Sequence, residues 1–523
     1  MAGRLELALL AYGALNAILY ATLLPLWDGF DEPFHYSFVQ HLARTRELPV
    51  TGHTPISGEV QRSLELAPAS HLVQRNLPFV TTFADYFHLP PEERDKRRLE
   101  LTELRDPTHS LEPGGPNYEA LQAPIAYGLL APLEALWRND PLISRVRRLR
   151  LGGALIAVLA VWLLILRIGD AIKLPEPFRL VALFLTFSSQ VFYAVTAHVS
   201  NDWLALSMFS AILVCAVDLA NAPGRRTAVW LGLAVAAGLL TKASLLALLP
   251  LVCGLAALLV AKRRLPPSHA ALVLAIALLI PAPWYLRNLR LYGNLTAQLQ
   301  SAKAPAPAVL IRTAIHLPWG RSVDATATSA IWIGNNSDTT FSMKTVWLAE
   351  LLIAVAAFCW LRSAVLYRPG AAETIVGAGM LCYTAGLAYS VVLNYWASEG
   401  EGIAALPWYV EAMKPAATCL LCLGLWRARA FGRAVSVLMI CLWTYMIAAT
   451  YVLKLIPFYS GFSGTVGAGA VWSHYSGSTW QEILADTAMG SPTTILCLTA
   501  AVVLLAVTLA VLLSRKALLS QGS

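Results

Sequence analysis

Apolar runs broken by short polar stretches set the rhythm of this chain. About twelve runs approach the roughly 20 mostly apolar residues that a membrane-spanning helix needs. They centre near residues 5–26, 151–167, 178–197, 203–220, 227–241, 243–261, 269–286, 345–361, 372–393, 408–425, 434–454 and 493–513. The first is too long for a cleaved signal peptide and no small-residue cleavage site follows it, so it is expected to stay as a helix of the protein. The pattern predicts an all-α polytopic membrane protein, a bundle of about 12 transmembrane helices. The largest interruption, residues 27–150, separates the first run from the second. It is expected to be an external loop carrying surface helices. Its charged stretch "PPEERDKRR" at 90–98 reads as a solvated helix face, and the aromatic and proline-rich part at 79–91 as ordered structure on the membrane surface.

Composition agrees with this pattern. Of the 523 residues 57% are hydrophobic and 13% charged, against roughly 25% charged in soluble domains. The net charge of +8 fits topology and anionic headgroups better than nucleic acid. All eight cysteines fall inside the apolar runs, so no disulfide is expected. Cys419 and Cys422 have C-x-x-C spacing, but within an apolar helix that spacing reads as packing.

Short loops give the orientation, because Lys and Arg stay on the cytoplasmic side. "GRRT" at 224–227, "AKRR" at 261–264, "LRSAVLYR" at 361–368 and "RARAFGR" at 427–433 share one side with Arg4 and with "SRK" at 514–516. Both termini are then cytoplasmic, in a cell inner (plasma) membrane. Residues 27–150, 287–344, 394–407 and 455–492 face the other, periplasmic side.

The stretch "WDGFDEPFHYSFVQHLARTRELPV" at 27–50 places Asp28, Asp31 and Glu32 where the first span ends. Asp31-Glu32-Pro33 reads as a helix start, with an acid as cap, an acid in the first turn and a proline where no amide is needed. A half-shielded carboxylate there can equally serve as a general base. Other polar residues gather at the same depth: His198, Asn201 and Asp202 in "HVSNDWLAL", Thr241 and Lys242 in "GLLTKASLL", Arg145, Arg147, Arg148 and Arg150 in "RVRRLR" just before the second span, and Arg287, Asn288 and Arg290 in "PWYLRNLRLYGN". Singly, each cation reads as snorkelling to headgroups. Together, on the side that the positive-inside rule disfavours, they suit an anionic lipid headgroup whose leaving charge they would neutralise. His35 and His41 lie six apart, on different helix faces, and read as surface or packing residues. The residues indicate no metal site.

These motifs resemble the membrane glycosyltransferases of the GT-C fold, in particular the bacterial relatives of protein O-mannosyltransferases and of lipid A aminoarabinose transferases. "DEPFHYSFVQHLA" at 31–43 is similar to that family's acidic pair and first surface helix, and "NYEALQAPIAYGLLAPL" at 117–133 to its second. "FSSQVFYAVTAHVSNDWLAL" at 187–206, "GLLTKASLLALLPL" at 238–251 and "PWYLRNLRLYGN" at 283–294 follow in the family's order. Trp408 stands where relatives tend to carry an arginine, and Ala123 replaces one of two prolines.

The resemblance implies a GT-C-like catalytic module over residues 1–300, including the loop 27–150, and a C-terminal transmembrane module over 301–523 with external loops near 394–407 and 455–492. It implies a hexosyl- or pentosyltransferase that moves a sugar from a polyprenyl-phosphate donor to a glycan, lipid or protein acceptor by inverting displacement. Asp31 would be the base, with Glu32 orienting it or binding the acceptor. Lys242, Arg287, Arg148 and Arg150 would hold the lipid phosphate. Asp28, Asn201, Asp202, Tyr118 and Gln122 would shape the substrate pocket. No cofactor beyond the donor is implied, and no nucleic acid. Two other classes fit many spans: a transporter or flippase of lipid-linked or small solutes, and a catalytically inactive GT-C-like scaffold. A transporter would be expected to show repeated halves and charges at the midplane; here the charges gather at one interface.

Overall fold

The computed structural model describes residues 3–297, 305–333, 340–462, 468–477 and 479–519. Helices make up nearly all regular structure among them, with two isolated bridge pairs, Pro55 with Pro116 and Ala69 with Thr82. Parts of the expected external loops 287–344 and 455–492 lie outside the described residues.

Among the described residues eight helices are long and apolar enough to cross a membrane, and up to ten if each of two bent pairs is one span. The protein is thus a multi-pass membrane protein. The bent pairs are Glu176–Phe187 with Gln190–Thr196 (61°) and Pro267–Leu279 with Ala282–Tyr292 (41°). The runs expected at 227–241 and 408–425 fall instead on Arg225–Leu239 and Lys414–Arg427, of 15 and 14 residues. At 1.5 Å per residue these reach only about 20 Å, short of the roughly 30 Å hydrocarbon layer. Each is cut short at the same end of the bundle. Arg225–Leu239 gives way to a non-helical step at Thr241–Lys242 and a 3-10 segment Ala243–Leu248. Lys414–Arg427 starts at Pro415 just after the short helix Pro407–Glu411.

The second span begins earlier than expected and runs 30 residues, Leu142–Ala171, so Arg145 to Arg150 lie within its first turns and not in the loop before it. Residues 27–141 fold over that end around an apolar cluster in which Trp27, Phe34, Phe38, Val60 and Tyr127 pack with Trp203 of the helix Asp202–Asn221. The helix Glu32–Thr45 is expected on the surface, yet every residue from Glu32 to Gln40 is buried. Its polar side chains find buried partners. Tyr36 donates to Glu134 Oε1 (2.9 Å), Gln40 to Glu59 Oε2 (2.8 Å), and Arg145 bonds Tyr36, Glu134 and Glu59. An apolar stripe alone could not bury that helix; the ion network lets its polar face go under too.

The charged helix Pro91–Glu103 is likewise more than a solvated face. Arg94 and Arg98 each form a 3.0 Å ion pair with the half-buried Asp486, from the helix Thr479–Thr487. A single buried apolar cluster runs from Leu9 to Leu513, so residues from both parts of the chain pack together.

Candidate active site

The first span ends at Leu23, and the chain then turns sharply through Trp27 and Asp31, both at positive φ (66° and 53°). Aspartate tolerates that conformation better than most residues, because its short polar side chain bonds locally. Three clamps hold the turn. Trp27 Nε1 donates to Ser63 Oγ (2.8 Å), Asp28 accepts from Tyr459 OH, and Arg150 donates to the carbonyls of Leu24 (2.7 Å) and Pro25 (2.9 Å). Between them, a Cβ on Gly29 would lie 2.6 Å from His198 Cβ, so only glycine lets the turn pass so close.

Asp31 occupies the cap position of Glu32–Thr45, but its carboxylate does not cap the helix. The amides of Phe34 and His35 bond the Asp31 backbone carbonyl instead (3.0 and 3.1 Å). The carboxylate turns to the hydroxyl of Tyr118 and keeps one side open to solvent. Crowding by protein raises its pKa above the ordinary carboxylate value; the Tyr118 hydrogen bond and the nearby Lys242 act against that rise, and Asp202 adds to it.

Glu32, its neighbour, has a different setting. It is wholly buried against the equally buried Arg150, with Arg150 Nε 2.7 Å from Oε1 and Nη2 on Oε2, and Oε1 also accepts from the Val199 amide (2.9 Å). Arg150 has donors on Glu32, the two carbonyls and the Met489 sulfur (3.0 Å). The pair thus pins the second span to the lip and is not free for a ligand. Glu32→Gln is expected to lower stability by about 3–5 kcal/mol, the usual cost of breaking a buried pair. A Glu32 that only bound acceptor would lower turnover and leave the melting temperature alone.

Around Asp31 the structure assembles residues from distant parts of the sequence. Lys242, at the step after Arg225–Leu239, ion-pairs with Asp202 and lies 4.5 Å from the centroid of the Tyr409 ring. Asn201 donates to Gln122 Oε1 (3.0 Å) and to the Thr241 carbonyl (3.2 Å), and Gln122 donates to Glu119 Oε2 (2.7 Å). Asn201 makes no side-chain cap for the helix that it precedes. Phe30 packs on Trp408 and Trp332, with ring centroids 4.8 and 5.4 Å apart. Buried Gln190 holds the loop that carries Trp332 through the carbonyls of Ile331 (2.6 Å) and Trp332 (3.1 Å). Two adjoining cavities share Gln122 and Tyr409: one of ≈ 30 Å³ reaches Lys242 and Trp284, and one of ≈ 250 Å³ opens past Ser390 and Asn394.

Of the residues singled out from sequence, Asp31, Tyr118, Gln122, Asn201, Asp202 and Lys242 come together here. Asp28 is buried against Tyr459. Arg148 points elsewhere, paired with Asp140 and stacked on Trp137 (5.0 Å). Arg287 lies 5.1 Å from the Trp284 ring, which walls the smaller cavity, and donates Nη2 to the Pro49 carbonyl (2.7 Å). Its Nη1 is buried without a partner among the described residues.

Glu119, Tyr409 and the role of His198 emerge only from the structure. Glu119 stands beside Tyr118 in a stretch already singled out, and an acid among apolar and proline residues was the available signal. His198 Nδ1 donates to the Ala194 carbonyl (2.7 Å), burial pushes its pKa down, and its Nε2 faces no partner among the described residues. Its neutral ring therefore offers a lone pair near Asp31. Among the described residues no group of three or more His, Cys, Asp or Glu side chains is arranged to hold a metal ion.

Burial first, and Asp31 second, push the Glu119 carboxyl from 4.5 up to about 8. Below that pH Glu119 is neutral; above it a second negative charge appears beside Asp31. Activity measured as kcat/KM is expected to fall as pH rises through about 8, and Glu119→Gln, uncharged throughout, to remove that limb. Stability carries the same sign. The folded chain holds a proton there that the unfolded chain releases near 4.5, so stability drains away as pH rises between the two values. Glu119→Gln is thus expected to raise Tm in alkaline buffer and to leave it unchanged in acid.

No protein-family model and no curated protein matches the chain in sequence. In structure it is similar to ArnT from Cupriavidus metallidurans bound to undecaprenyl phosphate, at 15% identity and TM-score 0.46, covering 98% of this chain and 76% of that one. The apo state of that protein aligns at 15% identity and TM-score 0.40, over 87% and 73%. The oligosaccharyltransferase AglB from Archaeoglobus fulgidus, in complex with an inhibitory peptide and a dolichol-phosphate, aligns at 12% identity and TM-score 0.40, over 91% of this chain and 58% of that one. At these identities and scores the residues of the site, and not the likeness, decide which chemistry is open to it.

Proposed function

We propose that the chain is a GT-C glycosyltransferase that moves a sugar from a polyprenyl phosphate to an acceptor hydroxyl or amine, with Asp31 as general base. The observation that carries this reading is an open, raised-pKa carboxylate, Asp31, within electrostatic reach of a buried cation, Lys242, at the end of an apolar bundle. A lipid-borne donor reaches such a cleft from the side, with its phosphate at the depth of Lys242. Asp31 takes the acceptor proton as the acceptor atom bonds to the anomeric carbon. The bond from that carbon to the phosphate oxygen breaks with inversion, and its electron pair leaves on the polyprenyl phosphate. Lys242 offsets the charge developing there, with Arg287 Nη1 the next free donor. Tyr118 aims Asp31, and Asp202 holds Lys242. Turnover decides the reading. Purified protein in lipid is given a panel of polyprenyl-phosphate sugars and a membrane extract as acceptor. Product and released polyprenyl phosphate, followed by mass spectrometry, are expected for the native chain and lost in Asp31→Asn. An intact donor across the panel, from protein that is folded, would overturn it.

The reading places the cleft on the periplasmic face of the inner membrane with both termini cytoplasmic. Lys96 is exposed on the Pro91–Glu103 helix. In a background lacking the native cysteines, Lys96→Cys is expected to react with a membrane-impermeant maleimide from outside the cell. Reaction only from the cytoplasmic side would invert the topology.

A further inference from the structure

At the end of the bundle opposite Asp31 lies another cavity, of ≈ 420 Å³, between Met343–Tyr367, Lys414–Arg427 and Arg429–Ala449. Lys414 stands at the active-site end, bonded to Ser189 and Glu411, and Arg427 lies 13 residues further along its helix, about 20 Å away. We propose that this cavity binds an anionic phospholipid of the leaflet facing away from the active site.

Three features point to that occupant. The wall is apolar and open: Val355, Phe358 and Phe431 line it, and Phe358 and Phe431 keep 65% and 59% of their surface uncovered. A water-soluble anion gains nothing from such a wall, whereas an acyl chain does. The charge is positive and uncompensated at the cavity. Glu373 is buried, and its carboxylate accepts from Arg427 Nη1 (2.8 Å) and Nη2 (2.7 Å) and from Trp360 Nε1 (3.1 Å). It thereby neutralises Arg427 and no other cation. Arg362, exposed on the same wall, has no carboxylate partner among the described residues. At the mouth, Tyr367 is 61% exposed, the amphipathic residue expected where headgroups meet hydrocarbon. Arg362 and the Tyr367 hydroxyl would take the headgroup phosphate, with one acyl chain laid against Phe358 and Phe431.

The cavity is tested by lipid retention on the full-length protein in detergent, read by native mass spectrometry. The probes are dioleoyl phosphatidylglycerol and dioleoyl phosphatidylcholine. The native chain is expected to retain the anionic lipid selectively. Arg362→Gln should weaken that retention about fivefold, the worth of one interfacial arginine, and leave phosphatidylcholine unchanged. Arg368→Gln removes an exposed arginine of the same end that does not line the cavity and is expected to change nothing. Arg362 is exposed, so the variant should stay monodisperse on size exclusion, which is checked alongside. Equal retention of both lipids by the native chain would overturn the proposal. So would an Arg362→Gln variant that keeps the anionic lipid, or an Arg368→Gln variant that loses as much of it; the last result would mean that net charge alone, with no built site, attracts the lipid.

Discussion

Asp31→Asn is expected to fold like the native chain and to lose turnover by about a hundred- to ten-thousandfold, the usual worth of a general base. Asparagine is a fair structural replacement at each point that the structure tests. It tolerates the positive φ of 53° found at this position, as aspartate does. The helix start rests on the backbone carbonyl of Asp31, bonded by the amides of Phe34 and His35, and that carbonyl is unchanged. The Tyr118 hydroxyl can still donate to the amide oxygen. What is lost is the ability to accept a proton. Donor affinity should largely survive, because proton transfer matters in the transition state more than in the bound ground state. Tm, donor affinity and turnover are measured on one preparation. Native-like turnover would remove Asp31 from the chemistry and leave Asp202 and the lone pair of His198 as the acceptors still within the cleft.

Lys242→Gln is expected to cost on the order of a hundredfold in turnover, as the loss of one donor to a developing charge commonly does. It also strands the buried Asp202, so a drop in stability is expected with it. The double variant Asp202→Asn, Lys242→Gln separates the two effects. Neutral side chains of similar size can hydrogen-bond to each other, so Tm should return toward the native value. Turnover should stay low, because the cation is still missing. If turnover recovers along with Tm, Lys242 is a structural partner of Asp202, and the phosphate is held by other groups, with Arg287 Nη1 the first to examine.

The turn that carries Asp31 also shows how far a single sequence reaches. Apolar runs and basic loops fix the class of protein, because hydrocarbon accepts only helices with satisfied backbones and few charges. The carboxylates at the lip, the Asn201-Asp202 step and Lys242 stood out because polar residues at span ends are costly and few. Local periodicity predicted the helix after Asp31 but not its burial, since the buried partners of its polar face, Glu59, Glu134, Arg145 and Arg150, lie on other elements. The same limit applies to the breaks in the helices Arg225–Leu239 and Lys414–Arg427. Their apolar runs continue through the break, so hydropathy counts full spans where the backbone stops.

Adjacent acids met different fates for a reason that no local pattern contains. Asp31 and Glu32 are neighbours at a helix start, and the sequence offers both as reactive. The structure gives Glu32 to Arg150, 118 residues away, and leaves Asp31 open against Tyr118. Glu119 gained its raised pKa only when folding buried it near Asp31. By itself the sequence determined the membrane class and which polar residues stand where spans end, because those follow from the cost of placing each residue type in hydrocarbon. Only the tertiary structure decided which carboxylate is neutralised, which is left free and which cation faces it, because a charge takes its energy from the nearest groups in space, and here those come from five separate stretches of chain.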